Sequence, residues 1–172
     1  VEERVHGPAQ SDVAAGLVQL SYVVQAVYAR ISARHELTPV QAKLLCVLLA
    51  GPRGMAELAH CLGVEKAALT GLVDRVERRG FAKRSAVPGD RRALHVSLTE
   101  AGGRASAAFH AEMSAELDGL VSSLAEEERE PFGRALAEIL AACRNQCPDL
   151  ALGVAPDVAL GEAAGPGKQA AS

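Results

Sequence analysis

The chain has 172 residues and a formal net charge of −3, with 18 Lys and Arg against 21 Asp and Glu. That balance excludes a protein that coats nucleic acid indiscriminately. Hydrophobic residues make up 49% but aromatics only 3%, with no Trp, so a core is possible and has to be Leu, Val and Ala packed between helices.

Residues 1–11 have no periodic pattern and are expected to form a flexible arm. From Asp12 the pattern changes. Val13, Leu17, Leu20, Val24, Val27 and Ile31 recur at alternating spacings of four and three, the seam of a helix lying along other helices. Tyr22, Gln25 and Tyr28 fall off this seam, where they either line a ligand cavity or cover the core. Thr38-Pro39-Val40-Gln41 is a helix start: Thr accepts from an early amide, Pro tolerates the first turn and Gln reaches back to complete a capping box. The helix that follows is expected to run to Ala50 and, being apolar nearly all round at Leu44, Leu45, Val47, Leu48 and Leu49, to be the buried centre. Gly51-Pro52 ends it.

Met55, Leu58, Ala59 and Leu62 then repeat at helical spacing, Gly63 breaks the pattern, and Leu69, Leu72, Val73 and Val76 resume it. This predicts helix, tight turn, helix. Lys66, Ala67, Thr70, Gly71, Asp74 and Arg75 are left facing outward, on a helix able to enter a groove. Gly80 stands where a left-handed cap is wanted. Residues 81–85 and 93–98 are expected to pair as a hairpin around Pro88-Gly89-Asp90, with Arg91 and Arg92 in its loop. A presented helix beside a basic finger predicts a winged helix-turn-helix. The plainer alternative is a small α+β packing unit with a solvated loop. Charge distribution argues against it: nine basic residues face five acidic ones between Arg53 and Arg92, while the rest of the chain is strongly acidic.

Thr99 and Glu100 suit the start of a further helix. Leu117, Leu120, Val121 and Leu124 give it an apolar face, Ala125-Glu126-Glu127-Glu128 interrupts, and Phe132, Leu136, Ile139, Leu140 and Cys143 form another. Two helices packed as a hairpin are expected. Beyond Pro148 the chain is mostly Ala, Gly and Pro, the composition of a disordered tail over 148–172.

The stretch LxxxLGVEKAALTGLVDRVERRG, followed by PGDRRALHVSLTEAG, resembles the DNA-binding core of the MarR family of bacterial transcriptional regulators. Its most specific part is Asp90-Arg91-Arg92 through Val96, Leu98 and Thr99. The resemblance implies a mainly α fold with a small β-hairpin wing: a dimerisation helix over 12–37, a winged helix-turn-helix over 38–99 and dimerisation helices over 100–147. It further implies a homodimeric regulator, usually a repressor, that binds a palindromic operator in double-stranded DNA and is often released by a small-molecule effector or an oxidant. In the presented helix, Lys66 is placed to reach phosphate or a guanine edge, Thr70 a base or a thymine methyl, and Arg75 the backbone, with Ala67 beside them. Arg91 or Arg92 would enter the minor groove, and Asp90 would brace the loop. Glu65 either accepts from cytosine N4 or is structural. Many relatives resemble S-x-x-T-V-T-R in this turn, where this chain has Glu65, Ala68 and Gly71, so base preference does not carry over. For an effector cavity between the dimerisation and winged halves, the residues singled out are Tyr22, Gln25, Arg30 and His110.

The competing chemistries are thinner. Four cysteines in an expected cytosolic protein do not imply structural disulfides: Cys46 and Cys61 fall on apolar faces, and Cys143 and Cys147 lie a helical turn apart with no CxxC or nearby His to complete a site. His35, Glu36, His110 and Glu112 are the weak candidates for zinc; otherwise neither metal nor cofactor is expected. No G-x-S-x-G, glycine-rich phosphate loop or H-E-x-x-H is present, so no enzyme is expected. No apolar run is long enough to cross a bilayer, and the opening VEERVHGPAQ has acidic residues where a secretion signal has positive ones; a cytoplasmic protein without a membrane partner is expected. The alternatives kept are a metal- or thiol-sensing regulator and a winged-helix protein-interaction module that does not bind DNA.

Overall fold

The computed structural model describes the backbone of residues 9–87 and 90–146 and the side chains of residues 13–86 and 94–143. Along the described chain the order is α1 (Ala9–Arg34), α2 (Pro39–Leu49), β1 (Arg53–Gly54), α3 (Met55–Leu62), α4 (Lys66–Arg78), β2 (Ala82–Val87), β3 (Asp90–Leu98), α5 (Glu100–Val121) and α6 (Glu126–Gln146). Residues 147–172, which include the whole of the expected tail over 148–172, lie outside the described residues.

Local chemistry sets the boundaries. The capping box at α2 is complete: the Gln41 amide donates to Thr38 Oγ1 at 3.3 Å, and the Thr38 amide donates to Gln41 Oε1 at 2.8 Å. Gly63 ends α3 at φ 66°, and Gly80 follows α4 at φ 72°, both in the left-handed region that a side chain disfavours. Between them, Leu69, Leu72, Val73 and Val76 of α4 are buried in one core with Leu58, Cys61 and Leu62 of α3 and Leu44, Leu45 and Leu48 of α2. α2 is central as expected, though not on every side. Its Leu49, the last residue of the helix, is 40% exposed.

The wing is a three-stranded antiparallel sheet in the order β1-β3-β2. Val96, fully buried, stands opposite Arg53 on one side and Arg84 on the other, which pins the sheet to the helical core. The expected hairpin is present with longer strands. β1 is an addition: two residues are too few to show alternation in a sequence.

β3 runs directly into α5. The Thr99 hydroxyl donates to the Gly80 carbonyl at 2.6 Å and accepts from the Gly102 amide at 3.0 Å, while the Thr99 amide donates to the Phe81 carbonyl at 3.0 Å. Gly102 is pressed so close that a Cβ there would lie 1.8 Å from the Phe81 oxygen. The base of the wing and the start of α5 are therefore one joint.

Three expectations are corrected. α1 begins at Ala9, inside the segment read as an arm. Its seam is buried only at Val27 and Ile31; Val13, Leu17 and Leu20 are exposed, because α2 and α5 cover only the C-terminal part of the helix. α5 and α6 do not pack as a hairpin: Phe132, Leu136, Ile139 and Leu140 of α6 are 38–50% exposed, since the turn at 122–125 directs α6 away from the rest of its own chain.

Candidate nucleic-acid interface

α4 buries one stripe and exposes the other. Lys66, Ala67, Thr70 and Arg75 all lie on the exposed side, as the spacing predicted. Lys66 opens the helix behind Glu65, whose side chain makes no capping bond, so no side chain occupies the positive end of α4 from that position. The Thr70 hydroxyl donates to the Lys66 carbonyl at 3.0 Å, which uses its proton and leaves its lone pairs and methyl facing outward. Arg75 folds back over Gly71, where an added Cβ would come within 3.4 Å of its guanidinium. Gly71 thereby gives Arg75 its place.

Two arginines that the sequence reading did not single out hold α4 in position. Arg84, on β2, meets Asp74 Oδ1 at 2.7 Å and Glu77 Oε2 at 2.5 Å, and its own amide donates to Glu77 Oε1 at 2.8 Å. Arg79, at the C-terminal end of α4, donates to the Glu36 carbonyl and lies 4.8 Å from the centre of the Phe81 ring. Both had registered only as members of a basic run. The signal that would have found Arg84 is register: its strand position alternates with Lys83, and the carboxylates at 74 and 77 lie a turn apart on the neighbouring helix. The backbone of Asp90, Arg91 and Arg92 belongs to β3, but their side chains, together with Pro88 and Gly89, lie outside the described residues.

The residues named for an effector are spread over α1 and α5. Tyr22 is 66% exposed, Gln25 is exposed, Arg30 is paired with Glu116 at 2.7 Å, and His110 is half-buried on α5. Of the zinc candidates, two meet: His35 Nε2 lies 2.8 Å from Glu112 Oε2. Arg34 shares Glu112 at 2.5 Å, whereas Arg79 donates to the Glu36 backbone carbonyl and leaves the Glu36 carboxylate 88% exposed and 3.7 Å away. Among the described residues no group of three or more His, Cys, Asp or Glu is arranged to hold a metal. Burial pushes the Cys46 thiol, half-buried beside Tyr28, above its ordinary range, and Cys61 likewise. Cys143 is exposed, and Cys147 lies outside the described residues.

A helix displayed to solvent, stacked on a second helix and flanked by a three-stranded wing, defines a winged helix-turn-helix protein. Residues 35–93 match the model of the MarR family. The repressor NicR of Pseudomonas putida, described as an HTH-type transcriptional repressor, is 37% identical over 78 residues, which cover 45% of this chain and 49% of NicR. The chain thus spans about half the length of this curated relative. The crystal structure of RV1404 from Mycobacterium tuberculosis superposes with a TM-score of 0.69 at 26% identity, covering 81% of this chain and 98% of the other. A single-substitution mutant of S. aureus MepR, solved bound to an oligodeoxyribonucleotide, has a TM-score of 0.58 at 22% identity and covers 76% and 96%, a likeness of fold alone. Over residues 35–93 the winged-helix unit is thus similar to the MarR family, and the described chain shares its fold with RV1404.

Proposed function

We propose that this protein is a sequence-specific DNA-binding transcriptional regulator, a repressor that acts as a homodimer on a palindromic operator. The observation that carries the proposal is the outward stripe of α4, with Lys66, Thr70 and Arg75 exposed beside a wing whose strand β3 begins Asp90-Arg91-Arg92. The kinship to NicR, named a repressor, and the shared fold of MepR with its oligodeoxyribonucleotide support it. The exposed apolar faces of α1 and α6 support the dimer: Val13, Leu17 and Leu20 at one end of the chain and Leu136, Ile139 and Leu140 at the other need a second surface to cover them. A two-fold pair would set two α4 helices into successive major grooves, about 34 Å apart. A small-molecule effector belongs to the same proposal. Bound where α1 and α5 meet the winged half, near Tyr22, Gln25, Arg30 and His110, it would favour a helix spacing that does not fit DNA. The mechanism needs no metal, cofactor or catalytic step.

The test is binding to mixed-sequence duplex DNA across a salt titration, followed by selection of bound fragments from the source genome. Affinity should fall steeply with salt as counterions are restored to the phosphates. Arg91→Ala with Arg92→Ala should weaken binding on every sequence and flatten the salt slope. A strictly monomeric protein, or one with no preference for any genomic fragment, overturns the proposal.

A further inference from the structure

The outward face of α4 has an electrostatic defect. Lys66, Thr70 and Asp74 share one stripe at four-residue spacing, and Glu77 follows on the next turn, so the helix that would face phosphates carries two carboxylates near its middle and end. Asp74 is 48% exposed at its side chain and Glu77 33%, so neither is hidden from a docked duplex. Arg84 answers both. It is not on α4: it reaches across from β2, and with 22% side-chain exposure it is the least exposed member of the three. Its guanidinium bridges Asp74 and Glu77, one edge also lies 3.4 Å from the Thr70 carbonyl, and its backbone amide closes on the second Glu77 oxygen. A planar fork with five donors makes all of these contacts from one position; an ammonium does not.

We propose that Arg84 is a positioning residue for DNA binding, an inference that rests on the DNA-binding function proposed above. It masks the Asp74 and Glu77 carboxylates on the groove-facing helix and ties the wing to that helix, so that helix and wing meet the duplex as one surface. Arg84 itself does not contact phosphate; its charge is spent inside the protein.

The experiment compares binding of a mixed-sequence duplex by the full chain and four variants: Arg84→Met, Arg84→Lys, the pair Asp74→Asn with Glu77→Gln, and the triple variant combining that pair with Arg84→Met. Thermal melts identify any variant that fails to fold. Arg84→Met should weaken binding at least tenfold, and Arg84→Lys should fall between it and the parent. The triple variant should recover to within about threefold of the parent, with the parent's salt slope, because removing the carboxylates removes the need for the mask. A triple variant as weak as Arg84→Met, with a salt slope lower by about 0.9, would mean that Arg84 neutralises a phosphate directly and would overturn the inference. So would an Arg84→Met protein that binds like the parent. Failure of the parent itself to bind any duplex would instead overturn the DNA-binding function, and the inference with it.

Discussion

Among the described glycines, Gly102 has the least room for a side chain. The Phe81 oxygen lies where its Cβ would be, and that oxygen is fixed by the Thr99 amide, so the backbone on the far side has no slack to give. Gly102→Ala should therefore destabilise the fold by at least about 3 kcal/mol, the upper range for overpacking a tight contact. Gly103→Ala, where nothing lies within 4 Å of the added carbon, should be neutral or mildly stabilising, as alanine is in a helix. Denaturant melts of the two variants side by side would check this. Equal midpoints would mean that the joint between wing and α5 is looser than the structure shows.

At the scale of elements, α1 and α5 are held together by burial at Ile31, Phe109 and Met113 and, at the rim, by charge. Arg30 and Arg34 reach Glu116, and Arg34 and His35 converge on Glu112. Hydrogen bonds from Arg34 and His35 hold the Glu112 carboxyl below its ordinary value of 4.5. A carboxylate depressed in the folded state stabilises it above the unfolded value, and that contribution is lost as pH falls through 4.5 and below. The melting temperature of the parent should accordingly drop through this range more steeply than that of Glu112→Gln, and the two curves should converge at the acid end. Parallel curves would remove Glu112 from the acid response.

How far the elements were legible depended on whether their cause was local. The capping box at Thr38 and Gln41, the turn at Gly63 and the buried stripe of α4 all follow from residues a few positions apart, and all stand where the spacing put them. Arg84 was not legible, because its meaning depends on a strand lying beside α4, a fact that no neighbouring residue announces. The seam of α1 and the face of α6 were legible as apolar periodicities but not as to what they cover. Periodicity reports that a face needs burying and is silent on whether the cover comes from the same molecule.

For the whole molecule, those two uncovered faces make association the first quantity to measure. Leu17 is 52% exposed, and Ile139 and Leu140 are 50% and 43% exposed, on helices whose polar sides already satisfy solvent. Leu136→Glu with Ile139→Glu should convert a dimer to monomers in sedimentation at micromolar concentration while leaving the winged-helix core folded, because none of the described side chains of α6 belongs to the buried core. Loss of all folding would show that α6 supports its own chain more than its exposure implies. An unchanged dimer would move the interface elsewhere.

The joint at Thr99 also governs how such an assembly tolerates change in length. Residues added at the tip of the hairpin extend a blade without altering its aim. A single residue added between Thr99 and Gly102 would rotate that blade by roughly 100° about the axis of the long helix behind it. Insertions at the tip should therefore be forgiven, whereas one codon at the hilt should misdirect both blades of a symmetric pair at once.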